Sequence, residues 1–127
     1  MQHLFKFLEK RVFKKPKISG HPPKFARHAA VEVGNKIFVF GGYDGFGQFY
    51  GLSVFDVDTE IWYTPTVHGT SPTPRTNHTI TAVGQNIYLF GGNDTTRADS
   101  NNSYLKFGTY SDFQVLDTGK KIVYNIV

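Results

Sequence analysis

The chain has 127 residues, with 16% aromatic residues, 13 glycines, no cysteine and only 19% charged residues. That length suits about one domain. The composition excludes a disordered tail, which would be charged and aromatic-poor, and the missing cysteine excludes disulfides, zinc–thiolate sites and a cysteine nucleophile.

No stretch of the sequence approaches the ~18 consecutive apolar residues of a transmembrane helix, so no membrane span is expected. Abundant Phe, Tyr and Gly with a single Met favour a sheet-rich protein. The net charge of +4 is unevenly placed. Residues 1–20 carry Lys6, Lys10, Arg11, Lys14, Lys15 and Lys17 against Glu9, whereas the remainder carries eight positive and nine negative residues. The body of the chain therefore lacks the basic surface that nucleic acid requires. No nucleic-acid or membrane partner is expected, and a cytoplasmic location is the working expectation.

Residues 1–20 admit several readings. Leu4, Leu8 and Val12 share one face of a basic amphipathic helix, a pattern seen in membrane-surface or targeting segments. Lys6 and Glu9 interrupt the apolar core that a secretory signal needs. Alternatively, the segment is the outer strand or strands of a preceding repeat. Phe13, Pro16, Gly20 and Pro23 fall on Trp62, Pro65, Gly69 and Pro72 at an offset of 49.

From His28 onward the chain repeats itself. His28 to Asp44 aligns without a gap on His78 to Asp94, at an offset of 50, with His, Val-Gly, an aromatic-rich run, Gly-Gly and Asp all in register. Such self-similarity is the signature of a repeat architecture. The boundaries expected are 1–20 for the N-terminal segment, 21–68 for the first repeat and 69–127 for the second.

Each repeat reads as four short strands. The first covers about 29–33 and 79–83, the second 36–40 and 86–90, the third 52–56 and 113–116, and the fourth 61–63 and 122–124. Gly34-Asn35 and Gly84-Gln85 mark tight hairpins. Asp58-Thr59-Glu60 and Asp117-Thr118-Gly119-Lys120 mark the turns between strands three and four. The second strands, Ile-Phe-Val-Phe and Ile-Tyr-Leu-Phe, are apolar on both faces, where a half-buried sheet would alternate. Both faces must be covered, as happens when small antiparallel sheets stack blade against blade in a β-propeller.

The repeat resembles the kelch family: an apolar strand ending in Gly41-Gly42 or Gly91-Gly92, an aromatic at Phe55, Trp62 near the fourth strand, and the Pro74-Arg75…His78 lead-in. There are departures. Val123 or Ile122 stands in place of the second Trp, and Lys24 stands where an Arg is expected in the first lead-in. The resemblance implies an all-β, partial kelch-type β-propeller. It would have two four-stranded antiparallel blades, plus strands of a preceding blade. Two blades cannot close a ring of six or seven, and repeats need neighbours to cover their faces. The missing blades are expected from a larger chain or from further copies of this one, three copies making six blades.

The candidate functional residues lie on loops, where a rigid scaffold commonly carries recognition. After Gly41-Gly42 these are Tyr43, Asp44, Phe46, Phe49 and Tyr50. After Gly91-Gly92 they are Asn93, Asp94, Arg97, Asp99 and Asn101. Arg75 and Asn77 belong to the lead-in. The residues expected to bind a partner are Tyr43, Asp44, Phe46, Tyr50, Arg75, Asn77, Asn93, Asp94 and Arg97, and the partner expected is a protein. Arg75 suits either a structural ion pair or recognition of a carboxylate. Asp44 and Asp94 read as turn caps. Asn77, Asn93 and Asn101 also lie in N-x-Ser/Thr triplets, which matter only in a secreted protein.

Gly41 to Gly47 is no phosphate loop, because no helix pattern and no Lys-Ser/Thr follows it. His28 and His78 repeat in register, which favours the same structural hydrogen bond in each blade over a metal site. No cofactor or metal is expected. The expected function is a non-enzymatic interaction scaffold. The alternatives are a fragment of a propeller enzyme acting on a sugar or small molecule, or a structural piece completing another chain's ring. A copper-oxidase cofactor of the Tyr–Cys type needs a cysteine this chain lacks.

Overall fold

The computed structural model describes residues 19–21, 24, 26–46, 50–94, 96–97, 104–106 and 109–126. The expectations for residues 1–18, Phe49, Asp99 and Asn101 lie outside them. The described residues form strands and turns, and among them no helix is long and apolar enough to cross a membrane.

The strands fall where the repeat places them. β1 (Ala26–Val33), β2 (Lys36–Tyr43), β3 (Leu52–Asp56) and β4 (Ile61–Tyr63) make one antiparallel sheet in sequence order. The second repeat supplies β5 (His68–Gly69), β6 (Thr79–Val83), β7 (Asn86–Phe90), β8 (Thr96–Arg97), β9 (Tyr104–Lys106), β10 (Phe113–Asp117) and β11 (Ile122–Asn125). Its sheet has the order β5-β11-β10-β7-β6.

Turn chemistry sets the register. Val33 pairs with Lys36 across Gly34, whose φ of 61° suits the first position of a two-residue hairpin. Asp56 Oδ1 accepts the N–H groups of Asp58 and Thr59 at 2.9 and 3.1 Å. Asp117 Oδ1 does the same for Gly119 and Lys120, both at 3.0 Å. These carboxylates cap the turns between the third and fourth strands of each sheet.

Two features go beyond the four-strand reading. Between its second and third strands the second repeat carries an insertion, which forms its own small hairpin with Thr96 opposite Lys106 and Arg97 opposite Tyr104. On the outer edges, Ser19 bridges to Ile61 and His68-Gly69 pairs with Ile122-Val123, both in parallel. Gly20 and Gly69 thus occupy equivalent places, as the offset of 49 requires. The structure also resolves the missing second Trp: Phe55 opposes Trp62 and Leu116 opposes Val123, so Val123 holds that place.

The two sheets meet face to face. Period-two alternation sends Val31, Phe38 and Val54 of the first sheet against Ile80, Ile87 and Leu116 of the second, and Phe38, Val54 and Ile87 form the buried centre. The innermost strands β1 and β6 lie next to each other.

Candidate functional site

The joint between the sheets is built by the lead-in 74–78. Its chain passes over the end of β2, where the Gly42 N–H donates to the Arg75 carbonyl at 2.9 Å. A side chain at Gly41, whose φ is 78°, would overlap both that carbonyl and the His78 ring. The paired glycines therefore admit a neighbouring backbone. His78 packs edge-on against Phe40, with ring centroids 5.3 Å apart.

This differs from the expected hydrogen bond within its own blade. The His78 ring is buried, neither of its nitrogens makes a well-formed hydrogen bond, and its contact is with the preceding sheet. His28, its repeat equivalent, is exposed. Burial lowers the pKa of His78 from 6.5. The Phe40 main chain opposes this, and the positive charges of Arg75 and His28 add to the lowering.

Arg75 is 1% exposed and fully engaged. Its guanidinium donates to Asp112 through both carboxylate oxygens, at 2.5 and 3.1 Å, to the Gly91 carbonyl at 3.0 Å and to the Thr73 carbonyl at 3.0 Å. It also lies over the Tyr110 ring, 3.8 Å from the centroid. Gln114 Nε2 donates to Asp112 at 2.7 Å. The Arg75 bonds hold the Asp112 carboxyl below its usual range; burial opposes them and Gln114 assists. Tyr110 donates to Asp94 Oδ2 at 2.7 Å. Its own pKa is raised, first by desolvation and then by Asp94.

Arg75 and Asp94 are thus buried supports beneath the loops, and Asp94 receives the Tyr110 hydroxyl. Asp44 does cap one: its Oδ1 accepts the Phe46 N–H at 2.7 Å. Phe46 is 96% exposed at that turn. Tyr43 and Tyr50 are half-buried at the loop base. There the Tyr50 N–H donates to Gly42 at 3.0 Å, and Tyr110 repeats this bond to Gly92 at 2.9 Å. Asn77 and Asn93 are brought together, with Asn77 Nδ2 donating to Asn93 Oδ1 at 3.1 Å. Thr76 fastens Asn93 through two main-chain bonds of 2.8 Å and its own hydroxyl. The Gly42–Arg75 bond ties this group to the base of the first loop. The Arg97 side chain lies outside the described residues.

Tyr110, Asp112 and Gln114 were missed by the sequence reading. The signal was present in part: an arginine expected to pair within a blade needs a carboxylate, and Asp112 stands just ahead of β10.

Small antiparallel sheets stacked face to face, with their loops gathered at the ends of the second strands, define a segment of a β-propeller. A family model described as the KLHDC2/KLHL20/DRC7 Kelch-repeats domain matches residues 2–126, and the chain belongs to the kelch-repeat family. It is 34% identical over 89 residues to the Rab9 effector protein with kelch motifs of Mus musculus, covering 66% of this chain and 23% of that protein. It is 32% identical over 110 residues to the host cell factor of Drosophila melanogaster, covering 81% of this chain and 7% of that protein. The solved structure of YjhT superposes with a TM-score of 0.59 at 14% identity, over 87% of this chain and 29% of that one. That likeness concerns the fold alone. The chain spans less than a quarter of the length of the two curated relatives.

Proposed function

We propose that this chain supplies two blades of a kelch propeller that binds a protein partner through the loops after Gly41-Gly42 and Gly91-Gly92, without catalysis. The observation that carries this reading is Phe46. A phenyl ring almost wholly in water, on a turn capped by Asp44 in a loop whose base is tied by the Tyr50–Gly42 bond, suits an aromatic anchor for a partner. Tyr43, Asn77 and Asn93 surround the loop bases, while Arg75 and Asp94 support them from below. The kinship with a protein named as a Rab9 effector supports a protein-interaction role. The missing blades come from further repeats, in the same polypeptide or in other copies.

The test compares proteins cross-linked to the wild-type chain and to Phe46→Ser and Tyr43→Ala variants, quantified by mass spectrometry. A protein held by the wild type and lost from both variants, with melting temperature unchanged, is the expected result. Identical sets of captured proteins would sink the proposal.

A further inference from the structure

The facing sides of the two sheets do not close on each other everywhere. Beside the Phe38, Val54 and Ile87 centre they part around a cavity of about 310 Å³. Phe40 and Leu52 of the first sheet and Leu89 and Leu116 of the second contribute to its wall, and the connection 64–74 adds Pro65 and Pro72. The wall belongs to the inward faces of the two sheets. A further blade stacks on an outward face, so it does not reach this space. A cavity of about 150 Å³ holds benzene, which gives this one room for a fused two-ring molecule.

Among the described residues one buried polar side chain, Gln114, stands in this apolar wall; it is 9% exposed. The other polar side chains there, Thr64 and Ser71, are exposed. Gln114 shares its face of β10 with Leu116 by period two and lies opposite Leu89. Its amide nitrogen donates to Asp112 Oδ2 at 2.7 Å. A carboxylate only accepts, so the amide keeps its nitrogen toward Asp112 and its oxygen at the other end. That oxygen, Oε1, is buried and has no hydrogen-bond partner. Buried acceptors are nearly always paired, and one left unpaired beside an apolar cavity calls for a donor supplied by whatever fills the cavity. Water suits the place poorly, because a buried water needs about two to four polar partners and the buried wall offers one.

We propose that this cavity is a binding site for a small, neutral, apolar molecule with a single N–H or O–H donor, of the indole or naphthol type, its donor resting on Gln114 Oε1. An anion gains nothing from an acceptor backed by the Asp112 carboxylate, and a cation would be desolvated by the apolar wall without a charged partner in it. The site rests on the stacked sheets and is separate from the loop partner.

The test titrates the full chain with indole and with benzofuran, which has the same shape without the N–H, and reads binding by calorimetry. Indole is expected to bind about fivefold more tightly, the worth of one net hydrogen bond. Gln114→Met keeps the side-chain length and removes the acceptor, so the two probes are expected to bind it equally. Leu52→Phe fills the cavity from the opposite sheet and is expected to abolish binding of both. Circular dichroism checks that each variant is folded, and should Gln114→Met fail to fold, the wild-type comparison and Leu52→Phe still decide. Equal affinities in the wild type, no binding of either probe, an indole preference that persists in folded Gln114→Met, or binding that survives Leu52→Phe overturns the proposal. Phe46→Ser is expected to bind indole as the wild type does, so failure of the loop reading leaves this result distinct.

Discussion

Phe40 and Phe90 are the same residue of the repeat, each closing a second strand ahead of Gly-Gly, yet one is 6% exposed and the other 55%. The local sequence, the strand and the hairpin are shared. What differs is the neighbour: the lead-in of the second repeat covers Phe40, and no described residue does the same for Phe90. A blade of this kind is thus a two-faced unit whose burial is decided by the next repeat. The apolar residues on its outer face belong to a joint, whether or not the joint is filled.

The sharpest way to test that contrast is to truncate both rings. Phe40→Ala is expected to cost about 3–5 kcal/mol, the range for a buried Phe that leaves a cavity. Phe90→Ala in the single chain is expected to cost less than about 1 kcal/mol, since it loses chiefly its edge contact with Phe113, centroids 6.1 Å apart. Urea unfolding of the two variants measures the gap. Equal losses would mean that the Phe90 face is covered in solution.

The filled joint also depends on the polar network that holds its lead-in. Asp112→Ala leaves the Arg75 charge buried with only carbonyl acceptors and the Tyr110 ring. A loss of about 3 kcal/mol is expected, at the lower end for a broken buried pair because Asp112 is 23% exposed. Asp112→Asn, which retains an acceptor, is expected to lose less. Matching denaturant midpoints for the wild type and Asp112→Ala would show that the pair contributes nothing to the joint.

The strands, their registers and the stacked-sheet architecture were legible in the sequence because turn chemistry and apolar runs act locally. Gly34, Gly84, Asp56 and Asp117 each fix a turn from within a few residues. The joint was legible only in outline. Gly41-Gly42 announces a close approach, but not that His78 is what approaches. Arg75 and Asp112 are 37 positions apart, and neither local propensity nor the repeat pairs them. The insertion before Asp112 breaks the alignment there, so the first repeat offers no counterpart to read across. The equivalence of His28 and His78 was misleading for the reason that separates Phe40 from Phe90: equal sequence, unequal neighbours.

His78 makes the joint sensitive to acid. Its pKa is lowered in the fold, so the unfolded chain takes up a proton more readily. The stabilisation is complete above about 6.5, the ordinary histidine value, and falls as pH drops from there toward the folded pKa. The slope is bounded at about 1.4 kcal/mol per pH unit for one proton. Asp112 acts in a separate window: its pKa is lowered too, so its contribution is lost only further down, as pH falls through that value. Denaturant midpoints between pH 7.5 and 5 should fall in the wild type and flatten in His78→Gln. An unchanged slope in that variant would assign the dependence to another group.

The smallest difference between the repeats lies in the turn before each histidine. Arg27 and Asn77 both adopt left-handed backbone, a conformation that costs an ordinary L-residue about 1 kcal/mol. Asparagine tolerates it, because its short amide bonds locally; at Asn77 the amide also reaches Asn93. Arginine has no such compensation, so the first lead-in carries strain that the second avoids. Arg27→Asn and Arg27→Gly are each expected to stabilise the chain by about 0.5–1 kcal/mol. Arg27→Ala is the discriminating control, because alanine keeps the Cβ that creates the strain and should give no gain. If alanine stabilised as much as glycine, the benefit would come from removing the arginine charge beside His28. The backbone difference between the two lead-ins would then carry no energetic weight.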